Sequence, residues 1–262
     1  MITSIQNSKV KLVRGLLSSK KDRDENALYI IEGVRMAEEA LIAGVKPEFA
    51  LFSSQLSDRG QAAIQSLAAK KCEAEEVSPE LMDRISETKT SQGILVAVHS
   101  SQPKVGNSLN LVLALDQVRD LGNLGTLLRT AAALGVQAVF LTPGSSDAYS
   151  PKVLRSGMGA HFKLQIASMS PEEIHTFCKH TNKQALDILL ADSGQGRTCW
   201  EEDLTRPICL VIGGEAAGAG DDLIQIIDAL VRIPMLDSTE SYNAAVAGSI
   251  LMYETFRQRK AL

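Results

Sequence analysis

The 262-residue chain has no apolar run long enough to cross a bilayer, and Met1-Ile2-Thr3-Ser4 opens no signal peptide. Its four cysteines, Cys72, Cys178, Cys199 and Cys209, form no Cys-x-x-Cys and stand near no paired histidines. That spacing argues against a disulfide framework and against a metal site, and it leads us to expect a cytoplasmic protein. Bulk positive charge is missing as well. With 27 Lys+Arg against 31 Asp+Glu the net charge is −4, so any nucleic-acid binding has to come from local basic patches. There is no Gly-Lys-Ser/Thr of a P-loop, and the glycine-rich stretch at 213–220 lacks Gly-x-Gly-x-x-Gly spacing. The missing dinucleotide fingerprint disfavours a dehydrogenase.

What is present suggests two domains, with 45% apolar residues to build their cores. Residues 1–100 read as a small α/β domain. In 8–18 a helical stripe of Leu12, Val13, Leu16 and Leu17 leaves Lys9, Lys11 and Arg14 on another face, with Lys20, Lys21 and Arg23 following in a turn. Strands are expected at 27–31, 49–52, near Cys72 and at 93–98, with helices at 34–43 (closed by Gly44) and 59–70. The stretch 99–108 has linker composition.

The second domain, 109–262, opens with the all-apolar strand Leu111-Val112-Leu113-Ala114-Leu115, then Asp116. A Gly-containing turn and helix follow, and another strand at 137–141 completes a βαβ unit of a parallel sheet. Ligands of such sheets sit beyond the carboxyl ends of the strands, which places Asp120, Asn123 and Arg129 near a site. Six residues separate Asn123 from Arg129, so the two need not share a helical face. Further on, Lys152 and Arg155 stand among small residues that let a phosphate backbone come close. The strand Ile208-Cys209-Leu210-Val211-Ile212 delivers Gly213-Gly214-Glu215, where a carboxylate suits a hydroxyl or cationic ligand better than a phosphate.

The chain then reaches Ile233-Pro234-Met235-Leu236, a bent apolar segment, and a polar loop in which Ser241 or Asn243 can cap the following helix. That helix, 244–258, carries Ala244, Ala247, Gly248 and Leu251 at three-and-four spacing.

Three stretches taken together, Asp-x-x-Asn-x-Gly…Arg-Thr, Gly-Glu-x-x-Gly after a strand, and Ile-Pro-Met…Ser-x-Asn…Ala, resemble the signatures of the SpoU–TrmH class of RNA 2′-O-ribose methyltransferases. The resemblance runs from about Leu111 to the C-terminus. Residues 1–100 are similar to that family's substrate-binding module at Asn7-Ser8-Lys9-Val10-Lys11, Glu32-Gly33 and Thr88-Lys89-Thr90-Ser91-Gln92-Gly93. Leu121 stands where the family often has proline, and Tyr242 where it usually has leucine.

The resemblance implies a trefoil-knotted α/β domain, a homodimer packed through the 244–258 helix, and S-adenosylmethionine as methyl donor. It implies cofactor positions at Gly213, Gly214, Ile233, Met235, Leu236, Tyr242 and Asn243. Catalytic candidates are Asn123, Arg129, Glu215, Ser241 and Asn243. RNA contacts are expected from Lys9, Lys11, Arg14, Lys89, Lys152 and Arg155, with rRNA favoured over tRNA. A sulfonium methyl is already activated, so the enzyme has to align it and remove a proton, and no metal is required. A guanidinium, which keeps its proton, is an awkward base, and a bidentate contact from Arg129 to the target phosphate is the physically safer role. Competing readings are an inactive RNA scaffold of the same fold and methylation of a base nitrogen.

Overall fold

The computed structural model describes residues 1–88, 91–100, 105–214, 218–236 and 240–260. In chain order the first elements are α1 (Ser8–Ser18), α2 (Lys20–Asn26), β1 (Leu28–Glu32), α3 (Val34–Ile42), β2 (Pro47–Phe52), α4 (Asp58–Ala69), β3 (Glu73–Glu76), α5 (Pro79–Ile85) and β4 (Ile94–His99). After them come β5 (Leu111–Asp116), α6 (Leu121–Ala133), β6 (Ala138–Leu141), α7 (Pro151–Gly157), β7 (Gln165–Ser168), α8 (Pro171–Thr176), β8 (Asp187–Asp192) and β9 (Arg197–Thr198). The last are β10 (Ile208–Gly213), α9 (Asp221–Ile224), β11 (Ala229–Arg232) and α10 (Ala244–Lys260). No helix among the described residues is long and apolar enough to cross a membrane.

The chain packs as two units, Met1–Ser101 with Asp147–Phe162, and Gln102–Ser146 with Lys163–Leu262. The first holds a sheet ordered β1-β4-β2-β3, antiparallel except for the β2–β3 pair. Alternate residues of β1 serve opposite faces. Tyr29 and Ile31 pack with Met36, Ala37 and Leu67 of α3 and α4, while Leu28 and Ile30 pack with Val13, Leu16 and Met82 of α1 and α5. Sheet burial on both sides explains why β1 and β4 read as continuous apolar runs. Side-chain caps start the helices: Asn7 accepts from the Lys9 and Val10 amides, and Ser78 precedes Pro79 at the first position of α5.

Segment Asp147–Phe162, assigned by the sequence to the second domain, packs with the first unit. Asp147 accepts from Arg23 Nε at 2.8 Å, the Tyr149 ring lies 4.9 Å from that of Tyr29, and Leu154 joins the core beside α3. Arg23 is 7% exposed, so it is no free cation, and Lys20–Asn26 is helical where a turn was expected.

The same segment buries His161, which donates Nε2–H to the Ala148 carbonyl at 2.7 Å and leaves Nδ1 without a hydrogen-bond partner. Burial pushes its pKa down to about 4, against the opposing pull of the Ala148 carbonyl and Asp147. The unfolded ring, near 6.5, takes a proton that the folded one refuses. His161 therefore favours folding fully above that pH, and the contribution is lost as pH falls from about 6.5 to 4, by about 3 kcal/mol at most. Chemical unfolding of wild type and His161→Leu at pH 7.5, 5.5 and 4.5 checks this. The wild type should lose more stability over the range than the variant, and parallel curves would refute it.

The second unit is a sheet ordered β7-β6-β5-β10-β8-β11-β9, with every adjacent pair parallel. Buried Val112, Ala114, Ala138, Phe140, Ile188 and Val211 fill one of its faces, with Phe177 edge-on to Phe140 at 5.1 Å. Helix α10 packs on α6 and β10. Its small-residue stripe does not form the expected seam between subunits. Gly248 is buried, and a Cβ there would meet Leu127 and Ile212 of the same unit, so the Ala244–Gly248–Leu251 stripe faces inward. Val246 and Tyr253 face solvent instead, at 46% and 60% exposure.

Candidate active site

Strands β5 and β10 lie side by side in register, Gly213 opposite Asp116. The loops leaving their carboxyl ends are therefore neighbours although about a hundred residues apart in sequence, at the edge where open parallel sheets bind ligands. The turn after β10 closes on itself: Gly214 and Gly218 exchange backbone hydrogen bonds of 3.1 and 3.2 Å. Glycine is required in this cradle. A Cβ on Gly213 would lie 2.5 Å from the Gly218 carbonyl carbon, and one on Gly214 2.6 Å from the Gln117 oxygen. Glu215 and Lys89, expected as a catalytic and an RNA-binding residue, lie outside the described residues.

Asp116 was not singled out from the sequence. It is 2% exposed and accepts from Thr142 Oγ1 at 2.5 Å and from the Gly220 amide at 2.7 Å. The available signal was an acidic residue closing an otherwise apolar strand.

Helix α6 starts at Asp120, whose carboxylate accepts from the Asn123 amide at 2.7 Å. Leu121 occupies the first helical position, where proline's fixed φ and missing donor are harmless, so this departure alters no polar group. Asn243 caps α10 by accepting from the Ala245 and Val246 amides at 2.9 and 3.3 Å, and its Nδ2 donates to Asn123 Oδ1 at 3.1 Å. Two expected site residues 120 positions apart thus meet directly. Further along the same helix pair Thr130 and Ser249 share a 3.2 Å hydrogen bond.

Arg129 is exposed, and no described ion pair or hydrogen bond includes its guanidinium. At 3.6 residues per turn it points about 120° away from Asn123. Ser241 is exposed beside Tyr242, whose hydroxyl donates to the Pro234 carbonyl at 3.4 Å, and Leu236 is 83% exposed. With half-buried Ile233 and Met235, these residues present an apolar, carbonyl-bearing surface to solvent. The glycine cradle, this surface and the paired amides suit a ligand with a flat, polar-edged ring, such as the adenine of S-adenosylmethionine.

The expected RNA contacts separate into distinct environments. Lys9 pairs with Glu73 at 2.7 Å and with Glu75, and its ammonium lies 5.6 Å over the Phe49 ring, so its charge is already met. Lys11, Arg14 and Lys152 are exposed and enter none of the described ion pairs. Arg155 is half-buried, with Nη1 sealed from solvent and without a hydrogen-bond partner, beside Glu32 and Met36.

Comparison with known proteins agrees with this arrangement. Residues 7–96 match the MRM3-like substrate binding domain. An uncharacterized tRNA/rRNA methyltransferase of Synechocystis is 32% identical, over 99% of this chain and 94% of that protein. The 23S rRNA (guanosine(2553)-2′-O)-methyltransferase RlmP of Bacillus subtilis is 30% identical, over 96% and 97%. The SpoU methyltransferase AviRb of Streptomyces viridochromogenes, crystallised with AdoMet, superposes with a TM-score of 0.86 at 25% identity, over 98% and 100% of the two chains. Residues 110–253, which carry the glycine cradle and the Asn123–Asn243 contact, match the SpoU rRNA Methylase family, and the chain belongs to it.

Proposed function

We propose that this chain transfers the methyl group of S-adenosylmethionine to a ribose 2′-hydroxyl of ribosomal RNA. The observation that carries it is the Asn123–Asn243 contact, which joins the two helix starts flanking the glycine cradle. The names and AdoMet complex of the relatives support the reaction class. S-adenosylmethionine brings an activated sulfonium methyl, and the chain supplies alignment. Gly213 and Gly214 let backbone come close, Ile233, Met235, Leu236 and Tyr242 take the apolar and flat parts, and Asn243 with Asn123 fixes the polar edge. Arg129 holds a phosphate of the target RNA in a bidentate contact, and Glu215 and Ser241 are the remaining catalytic candidates.

Residues 109–262 form the methyltransferase domain, and 1–100 serve to recognise RNA. The path of the chain supports a trefoil knot. Strand β11 lies beyond β8 in the sheet, yet the helix that follows it packs back on α6 and β10. The protein acts as a homodimer in the cytoplasm, with the outward Val246 and Tyr253 of α10 at the seam.

Incubation with radiolabelled S-adenosylmethionine and total RNA, then nuclease mapping, tests the proposal. Label in alkali-resistant dinucleotides of rRNA is the expected result. Label on a base would move the reaction to a ring nitrogen, and no label in any RNA would leave a scaffold.

On the RNA side, replacing Lys11 and Arg14 by Ala should flatten the salt dependence of RNA binding. Removing one phosphate-binding cation lowers the log–log slope by about 0.9 on duplex or about 0.7 on single strands. Adding Lys9→Ala should flatten it little further, because Glu73 and Glu75 already neutralise that ammonium. Filter binding across a salt series reads both effects. An unchanged slope in the double variant would return these residues to ordinary solvated surface.

A further inference from the structure

Resting on the reading that the turn after β10 holds the methyl donor, we infer that Asp116 is a positioning residue for cofactor capture, fixing the exit of that turn. Each of its two oxygens has one task. Oδ1 accepts from Thr142 Oγ1 after β6, and Oδ2 accepts from the Gly220 amide. Thr142 Oγ1 in turn accepts from the Gln117 amide at 3.1 Å. One buried carboxylate thus ties together the loops leaving β5, β6 and β10.

A charge at 2% exposure is costly unless hydrogen bonds satisfy it, and here both oxygens are satisfied by groups at the sheet's carboxyl edge. The entry of the turn is locked separately, by the Gly214–Gly218 backbone bonds and by the Gln117 carbonyl pressed against Gly214. Asp116 supplies the lock at the other end. Gln117 itself adopts φ +52, a left-handed conformation in which its carbonyl meets Gly214. Without the carboxylate the Gly220 amide loses its acceptor, and the exit of the turn is free to move while its entry stays closed.

Three variants test the inference. Asp116→Ala removes both acceptors, and Asp116→Asn keeps one for the Gly220 amide. Gly220→Pro removes the donor from the loop side, at a φ of −71° that proline adopts readily. Calorimetric titration of S-adenosylmethionine should show affinity falling about tenfold or more in Asp116→Ala and Gly220→Pro, with most of it restored in Asp116→Asn. Binding of a 23S rRNA transcript should stay close to wild type, while the melting temperature of Gly220→Pro should fall, because one oxygen of the buried carboxylate loses its donor. Wild-type cofactor affinity in folded Gly220→Pro would overturn the inference, as would equal losses of RNA and cofactor binding. If Asp116→Ala does not fold, Gly220→Pro decides alone. A wild-type protein that fails to bind S-adenosylmethionine would sink the underlying reading instead.

Discussion

Arg129→Ala should lower methyl transfer by at least about a hundredfold and leave S-adenosylmethionine affinity nearly unchanged. The guanidinium is exposed on α6, outside the described ion pairs, and lies off the Asn123 face that meets α10. A side chain so placed contributes little to the fold, so its loss should be read in the reaction. Arginine stays protonated, which makes it a planar two-pronged anchor for a phosphate and a poor proton acceptor. Arg129→Lys keeps the charge and loses the fork, so it should recover only part of the rate. Single-turnover assays beside calorimetry distinguish the effects, and wild-type turnover in the alanine variant would refute the assignment.

Gly213→Val should cut cofactor affinity by one to two orders of magnitude, the equivalent of about 1–3 kcal/mol of overpacking. Its Cβ would enter the space of the Gly218 carbonyl carbon and, at 2.6 Å, the Ala219 nitrogen. Both neighbours are backbone, so neither can rotate away, and the Gly214–Gly218 pairing has to open. Circular dichroism should still report a folded chain, because the strain falls on a turn at the edge of the sheet. Unaltered binding of S-adenosylmethionine by the folded variant would show that the cradle tolerates a side chain.

The strands that position the site were legible because their burial is nearly complete: β5 and β10 read as unbroken apolar runs ending in Asp116 and Gly213. Helix α2 was not, since every residue of Lys20–Asn26 is charged or polar and it carries no periodic stripe. Its place is set by Arg23 meeting Asp147, a partner 124 residues away. Lys9 misled for a related reason: its acids stand on β3, and local spacing says nothing of them. On α10, small and apolar residues surround much of the helix, so three-and-four spacing found a real stripe and could not tell which way it faced. The Asn123–Asn243 contact itself was beyond local pattern, although both residues stood out separately.

The placement of Asp147–Phe162 bears on how such proteins can be recombined. The backbone passes three times between the two packing units, near 101, 146 and 162, so no single cut yields two complete halves. Grafting a relative's first hundred residues onto this chain would set a foreign side chain against Asp147 and foreign packing around Tyr149 and Leu154. A chimera with a new first unit has to carry its own version of residues 147–162 as well, and the exchange becomes a two-segment transplant.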